Sequence, residues 1–163
     1  MLYLGIDPGP EMSAYLIYET SLQYIVVAEH VANEALIGVL VDEPPVLPDF
    51  GAVICEWIDS YGMPVGKSTF ETVYQIGKFS EHADPFIRIA RRDVKMHLCG
   101  SMRAKDANVR QALIDRFPAT GGGKIPQIGT KKQPGPLYGV SSHLWAALGV
   151  VITHVEQAKE AGR

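Results

Sequence analysis

The chain has 163 residues, 47% of them hydrophobic and 20% charged, with a formal net charge of −3. Those proportions are ordinary for a globular protein, and the length suits a single domain spanning 1–163 with a core of its own. No apolar run is long enough to span a bilayer and the N-terminus has no basic, signal-like region, so neither a membrane partner nor secretion is expected.

Leu2, Tyr3, Leu4 and Ile6 read as a short buried strand that Asp7 closes, and Pro8-Gly9-Pro10 must turn the chain. Met12 to Tyr18 then returns as a second strand paired with the first. A carboxylate at the end of a buried strand is costly unless it is hydrogen-bonded, paired or metal-bound. Asp7 therefore either caps its own turn or has partners elsewhere in the chain. Leu22 to His30 is a third strand, and "ANEALIGVLV" has helical spacing with Asn33 as its N-cap. The prolines of "DEPPVLPD" (42–49) forbid a regular element. "FGAVICEW" is the next buried strand, ending near Glu56. It holds Cys55, read as a buried, reduced thiol; Cys99 stands in no metal-ligand spacing to it.

Ser68 to Ser80 reads as a helix capped by Ser68 or Thr69, with Phe70, Val73, Tyr74 and Ile76 on or near one face. "FIRIARRDVKMHLCG" contains a strand around Phe86 to Ile89, and "AKDANVRQALIDRF" is an amphipathic helix that Pro118 ends. "PATGGGKIPQIGTKKQPGPLYG" is a Gly/Pro/Lys loop, long for a compact domain and so read as functional or mobile. "SSHLWAALGVVITHVEQAKEAG" is the closing helix. Three strands, then helix and strand in alternation, imply an α/β domain: a mixed sheet of about five strands with helices on both faces. This is the pattern of the ribonuclease H-like fold.

The charge is polarised. Residues 1–66 contain no Lys or Arg, whereas 88–132 hold eleven of the fifteen. A local positive patch of that kind suits nucleic acid despite the acidic balance. "GMPVGKST" (Gly62 to Thr69) mimics a phosphate-binding loop, but only three residues separate its first Gly from the Gly-Lys pair where four are needed. No nucleotide cofactor is expected. Gly121 to Lys124, "GGGK", is a flexible basic loop that either clamps DNA or is disordered.

Asp7 and Glu56 each close a strand, and the start of the last helix brings His143. If the two strands are neighbours, two carboxylates and an imidazole converge at one end of the sheet, a catalytic site for divalent metal. Two such ions about 4 Å apart would activate a water and stabilise the leaving oxygen of a phosphodiester. Here the sequence resembles the RuvC family of Holliday-junction resolvases, and within it the phage-encoded branch. The resemblance rests on "YLGIDPGPEMSAYLIYE", on "VICEW" and on "HLWAALGVV".

The resemblance implies an endodeoxyribonuclease that resolves four-way DNA junctions by paired nicks, using Mg²⁺ or Mn²⁺ as two ions on Asp7, Glu56 and His143. The two-fold symmetry of a junction calls for a homodimer, with the apolar, aromatic-bearing helix from Ser68 to Ser80 either the dimer face or plain core, in a bacterial or phage-infected cytoplasm. Lys95 and Lys105 resemble the family's phosphate-contacting lysines, with Arg103 beside them and Lys124, Lys131 and Lys132 as further DNA contacts. Two positions depart from the family. Its fourth ligand would fall at Ala146, so either three side chains with water and phosphate oxygens suffice or a group such as Ser142 or Glu11 assists, and its aromatic wedge would fall at Asp59, which leaves Trp57 and Tyr61 as substitutes. Rival readings keep the fold for a branched-DNA or structured-RNA nuclease, or for a catalytically weak junction binder. An actin-like sugar kinase would need two such domains.

Overall fold

The computed structural model describes residues 1–41, 50–60 and 62–162, so the proline-rich stretch 42–49 and Tyr61 lie outside the described residues. Five strands form one sheet: β1 (Leu2–Asp7), β2 (Met12–Glu19), β3 (Tyr24–Ala32), β4 (Phe50–Trp57) and β5 (Phe86–Ala90). Their order is β3-β2-β1-β4-β5. The first three pair antiparallel as a meander, whereas β1, β4 and β5 run parallel. Parallel neighbours cannot be joined by a tight turn. The crossovers contain α1 (Asn33–Val41) before β4 and α2 (Lys67–Ser80) before β5.

Strand alternation sends side chains to two separate cores. On one face Leu4, Ile6, Tyr15, Ile17, Val53 and Cys55 pack against Leu36 of α1 and against Ile76 and Phe79 of α2. On the other, Ala14, Leu16, Ala52 and Ile54 meet three helices: α3 (Arg91–Cys99), α4 (Asp106–Ile114) and α5 (Leu144–Ala161). The mixed α/β sheet with helices on both faces is thus observed as the element order implies.

Three local features differ from the expectations or add to them. The stretch after β5 is a helix, α3, entered without any linker because Ala90 both ends the strand and caps the helix. Val94 and Leu98, four residues apart, bury its inner face. In α2 the cap is Gly66, and Ser68 and Thr69 lie inside the first turn. Its inner face is Thr72, Ile76 and Phe79, so Phe70 and Tyr74 point outward at 65% and 67% exposure. Lastly, the loop 118–140 is internally bonded. The Gly121 N–H donates to Pro126, Gly122 to Gln133, Gly135 to Ile128 and Leu137 to Gln127, at 2.8 to 3.0 Å. At the crossing of its two arms a Cβ on Gly129 would lie 2.2 Å from the Gly135 nitrogen, and Gly129 has φ +78°, so only glycine fits. Leu137, fully buried, anchors the loop to the core.

No helix among the described residues is long and apolar enough to cross a membrane.

Candidate active site

The position of Asp7 follows from Gly5. A Cβ at Gly5 would lie 2.4 Å from the Ala147 carbonyl oxygen and 2.4 Å from Val151 Cγ2. The missing side chain lets α5 rest directly on β1. Asp7, two residues on, faces the same helix, and His143, one turn before Ala147, hangs over the strand end. The His143 Nδ1 lies 2.9 Å from Asp7 Oδ2. An ionised carboxylate only accepts hydrogen bonds, so toward an ionised Asp7 it is Nδ1 that donates, and in the neutral ring Nε2 then has the free lone pair.

The turn after Asp7 does not use its carboxylate. Ser13 Oγ accepts from the Gly9 N–H and donates to Asn33 Oδ1, while Asn33 Nδ2 donates to the Gly9 carbonyl. Asn33, expected to cap α1, instead ties that turn to the helix start. Asp7 is left free for the cleft.

Ile6 pairs with Cys55 across the parallel ladder, so Asp7 and Glu56 leave the sheet side by side. Ala52 and Ile54 mark the face toward α5, and Glu56 continues that alternation. Carboxyl ends of parallel strands in an open α/β sheet are where such folds place ligands. Both carboxylates line a cleft of about 650 Å³ with Arg91, Asp106, Arg110 and His143. Burial pushes the Glu56 carboxyl up to about 7, against the lowering effect of Arg91. Burial also raises Asp7, against the hydrogen bond from His143. Two partly desolvated carboxylates that each gain from added positive charge form a donor pair for a hard divalent cation. Among the described residues no three His, Cys, Asp or Glu side chains are grouped as ligands of one ion. The residues therefore fit a divalent ion resting on Asp7 and Glu56, with His143 placed through Asp7.

Four further groups stand at the site beyond the residues expected there. Arg91 follows β5 directly, at the third parallel strand end. Its Nη1 is 3.5 Å from Glu56 Oε2 and its Nη2 is 2.7 Å from Asp106 Oδ1. The strand-end logic applied to Asp7 and Glu56 also locates Arg91. Asp106 opens α4 and looks in sequence like any acidic residue of a first helical turn. His30, on β3 opposite Ala14, stacks on His143 with ring centroids 5.5 Å apart. Arg110 lies over the Trp145 ring at 5.0 Å.

Of the residues expected to meet DNA, Lys95 is near the cleft, its Nζ 3.9 Å from Asp106 Oδ1. Lys105 immediately precedes α4 and Arg103 lies in the exposed turn before it. Lys124, Lys131 and Lys132 are exposed on the 118–140 loop and do not line the cleft. Ser142 and Ala146 line the cleft, and Glu11 lines a smaller hollow shared by Asp7, His30 and His143. Asp59 is ion-paired with Arg92 at 3.5 Å. Trp57 packs on the α1/α2 core with the Arg88 guanidinium 4.7 Å over its ring, so it is held in place rather than projecting.

By sequence, no protein-family model and no curated protein matches the chain. By structure, it is similar to RuvC of Thermus thermophilus, with TM-score 0.65 and 20% identity over 99% of this chain and 97% of that one. It is also similar to T. thermophilus RuvC in complex with a Holliday junction substrate, with TM-score 0.66 and 19% identity over 99% and 96% of the two chains. The fold is ribonuclease H-like, of the RuvC type.

Proposed function

We propose that the protein is a divalent-metal-dependent endodeoxyribonuclease that resolves four-way DNA junctions by paired nicks. The observation that carries this reading is the pair Asp7 and Glu56, both desolvated, at adjacent parallel strand ends in an open cleft. The fold likeness to a resolvase held with a Holliday junction substrate supports the choice of DNA. A cation on the two carboxylates would supply a polarised water and neutralise charge developing on the phosphate.

The chain's own residues do the rest. Asp7 and Glu56 accept positive charge and fix its place relative to the sheet. His143, oriented by Asp7, presents Nε2 as an acceptor that can take a proton from water. Lys95, Lys105 and Arg103 attract the backbone on the α3–α4 side, and the loop lysines extend the positive surface. A junction has two-fold symmetry, so paired nicks need two sites related by a two-fold axis. The outward Phe70, Val73 and Tyr74 of α2 form an apolar face suited to that homodimer.

The test is a labelled four-way junction incubated with and without Mg²⁺ or Mn²⁺, using the parent protein and Asp7→Asn. Cleavage should need the ion and vanish in the variant, while gel retardation of the junction survives. Near-normal turnover by Asp7→Asn would overturn the reading.

A further inference from the structure

We propose that Arg91 takes the place of a second divalent ion, so that each cleft holds one ion and the guanidinium meets the scissile phosphate. The inference rests on the metal-site reading above and replaces the two-ion arrangement expected from the sequence.

The charge of the cleft supports it. Asp7, Glu56 and Asp106 contribute three negative charges, and Arg91 and Arg110 return two positive charges to the same cleft. The remainder, minus one, is already more than offset by one divalent cation. A second ion would raise the excess positive charge further before any phosphate arrived, and Lys95, 3.9 Å from Asp106, adds to it. The family's fourth carboxylate position is Ala146, which lines this same cleft and has no donor atom. One carboxylate is missing and one cation is present. Both differences point the same way.

The geometry fits the role. Arg91 leaves β5 at the strand end beside Glu56, and its side chain is about one quarter exposed, so the fork reaches the cleft without being free in solvent. Its two terminal nitrogens are spread between carboxylates of different elements, Glu56 on β4 and Asp106 on α4. The 3.5 Å arm to Glu56 is the weaker, and that nitrogen can exchange a carboxylate oxygen for a phosphate oxygen. The 2.7 Å arm to Asp106 keeps the guanidinium plane in place meanwhile. A planar, permanently charged fork can hold Asp106 with one arm and a phosphate oxygen with the other in a fixed geometry that lysine lacks.

The decisive measurement is Mn²⁺ binding to the full chain without DNA, followed by calorimetry and by electron paramagnetic resonance. One ion per chain with a mononuclear six-line signal is expected. Two ions per chain with spin-coupled features would overturn the proposal while leaving the metal site standing. No bound Mn²⁺ would overturn the site reading itself, and the proposal with it. Arg91→Gln should admit a second ion, bind the first about tenfold more tightly and lose on the order of 10²-fold in cleavage, the loss typical of one transition-state donor. Arg91→Lys, which keeps the charge, should keep the one-ion stoichiometry yet cleave poorly. If Arg91→Gln fails to fold, as judged by its melting curve, the parent stoichiometry still decides the matter.

Discussion

Gly5→Ala tests whether the contact between α5 and β1 sets the site. The new Cβ would lie 2.4 Å from both Ala147 O and Val151 Cγ2. Carbon contacts relax at about 3.5 Å, so the helix must withdraw from the strand by about 1 Å. Overpacking of this kind costs about 1–3 kcal/mol. For a chain of 163 residues that lowers the melting temperature by about 3–9 °C. The same withdrawal stretches the 2.9 Å bond between His143 and Asp7 to about 4 Å, beyond hydrogen-bond range. A misplacement of about 1 Å can cost on the order of 10²-fold in rate. Gly38→Ala is the control, since a Cβ there meets nothing within 4 Å on the exposed side of α1. It should raise stability slightly and leave cleavage alone. Melting curves and junction cleavage are measured for both variants. A Gly5→Ala protein that melts and cleaves like the parent would refute the idea that α5 places His143 by resting on Gly5.

Four further outcomes are expected. Burial raises Glu56 from 4.5 to about 7, so the metal-free folded protein binds a proton there more tightly than the unfolded chain. Its stability should therefore fall as pH rises from 4.5 to about 7, and Glu56→Gln should stabilise the metal-free protein at pH 8 by as much as about 3 kcal/mol in urea titrations while abolishing cleavage. Mn²⁺ affinity of the parent should drop below pH 7 for the same reason, because the ion needs the carboxylate ionised. Replacing Lys95 and Lys105 with Ala should weaken junction binding and flatten the slope of log affinity against log salt by about one unit per lost phosphate contact; an unchanged slope would place the DNA surface elsewhere. Phe70→Asp with Tyr74→Asp should shift the protein from dimer to monomer in light scattering, with paired nicks giving way to single ones.

Most of the fold is legible because its signals are local. The Pro-Gly-Pro turn, the apolar runs around Ile6 and Ile54 and the periodicity of α4 and α5 each mark an element without knowledge of its neighbours. The helix α3 is missed because nothing punctuates its start: Ile89 and Ala90 pass into Arg91 with no Gly, Pro or capping side chain. In α2 the apolar stripe in the sequence and the buried stripe in the structure differ, because Thr72 is satisfied inside by the Ser68 carbonyl while Phe70 and Tyr74 face out. At the site, Asp7 and Glu56 stand out since a strand-end carboxylate demands an explanation. Arg91 reads in the sequence only as one of the eleven basic residues of 88–132. Its pairing with Glu56 and Asp106 depends on which strands and helices become neighbours, and that is a property of the sheet order. His30 is hidden for the same reason.

The crossed glycines of the 118–140 loop change what exposure means for this part of the chain. Surface loops usually drift freely in sequence, since a new side chain simply points into water. At Gly129 and Gly135 the added carbon would instead meet backbone from the opposite arm, so these positions should tolerate substitution no better than Leu4 or Ile54 in the cores. Lys131 and Lys132, one turn away at the tip, carry no such restriction. In a saturation library the loop would thus separate into an immutable frame and a freely variable tip. Its lysines could be exchanged for other chemistries while the frame held its shape.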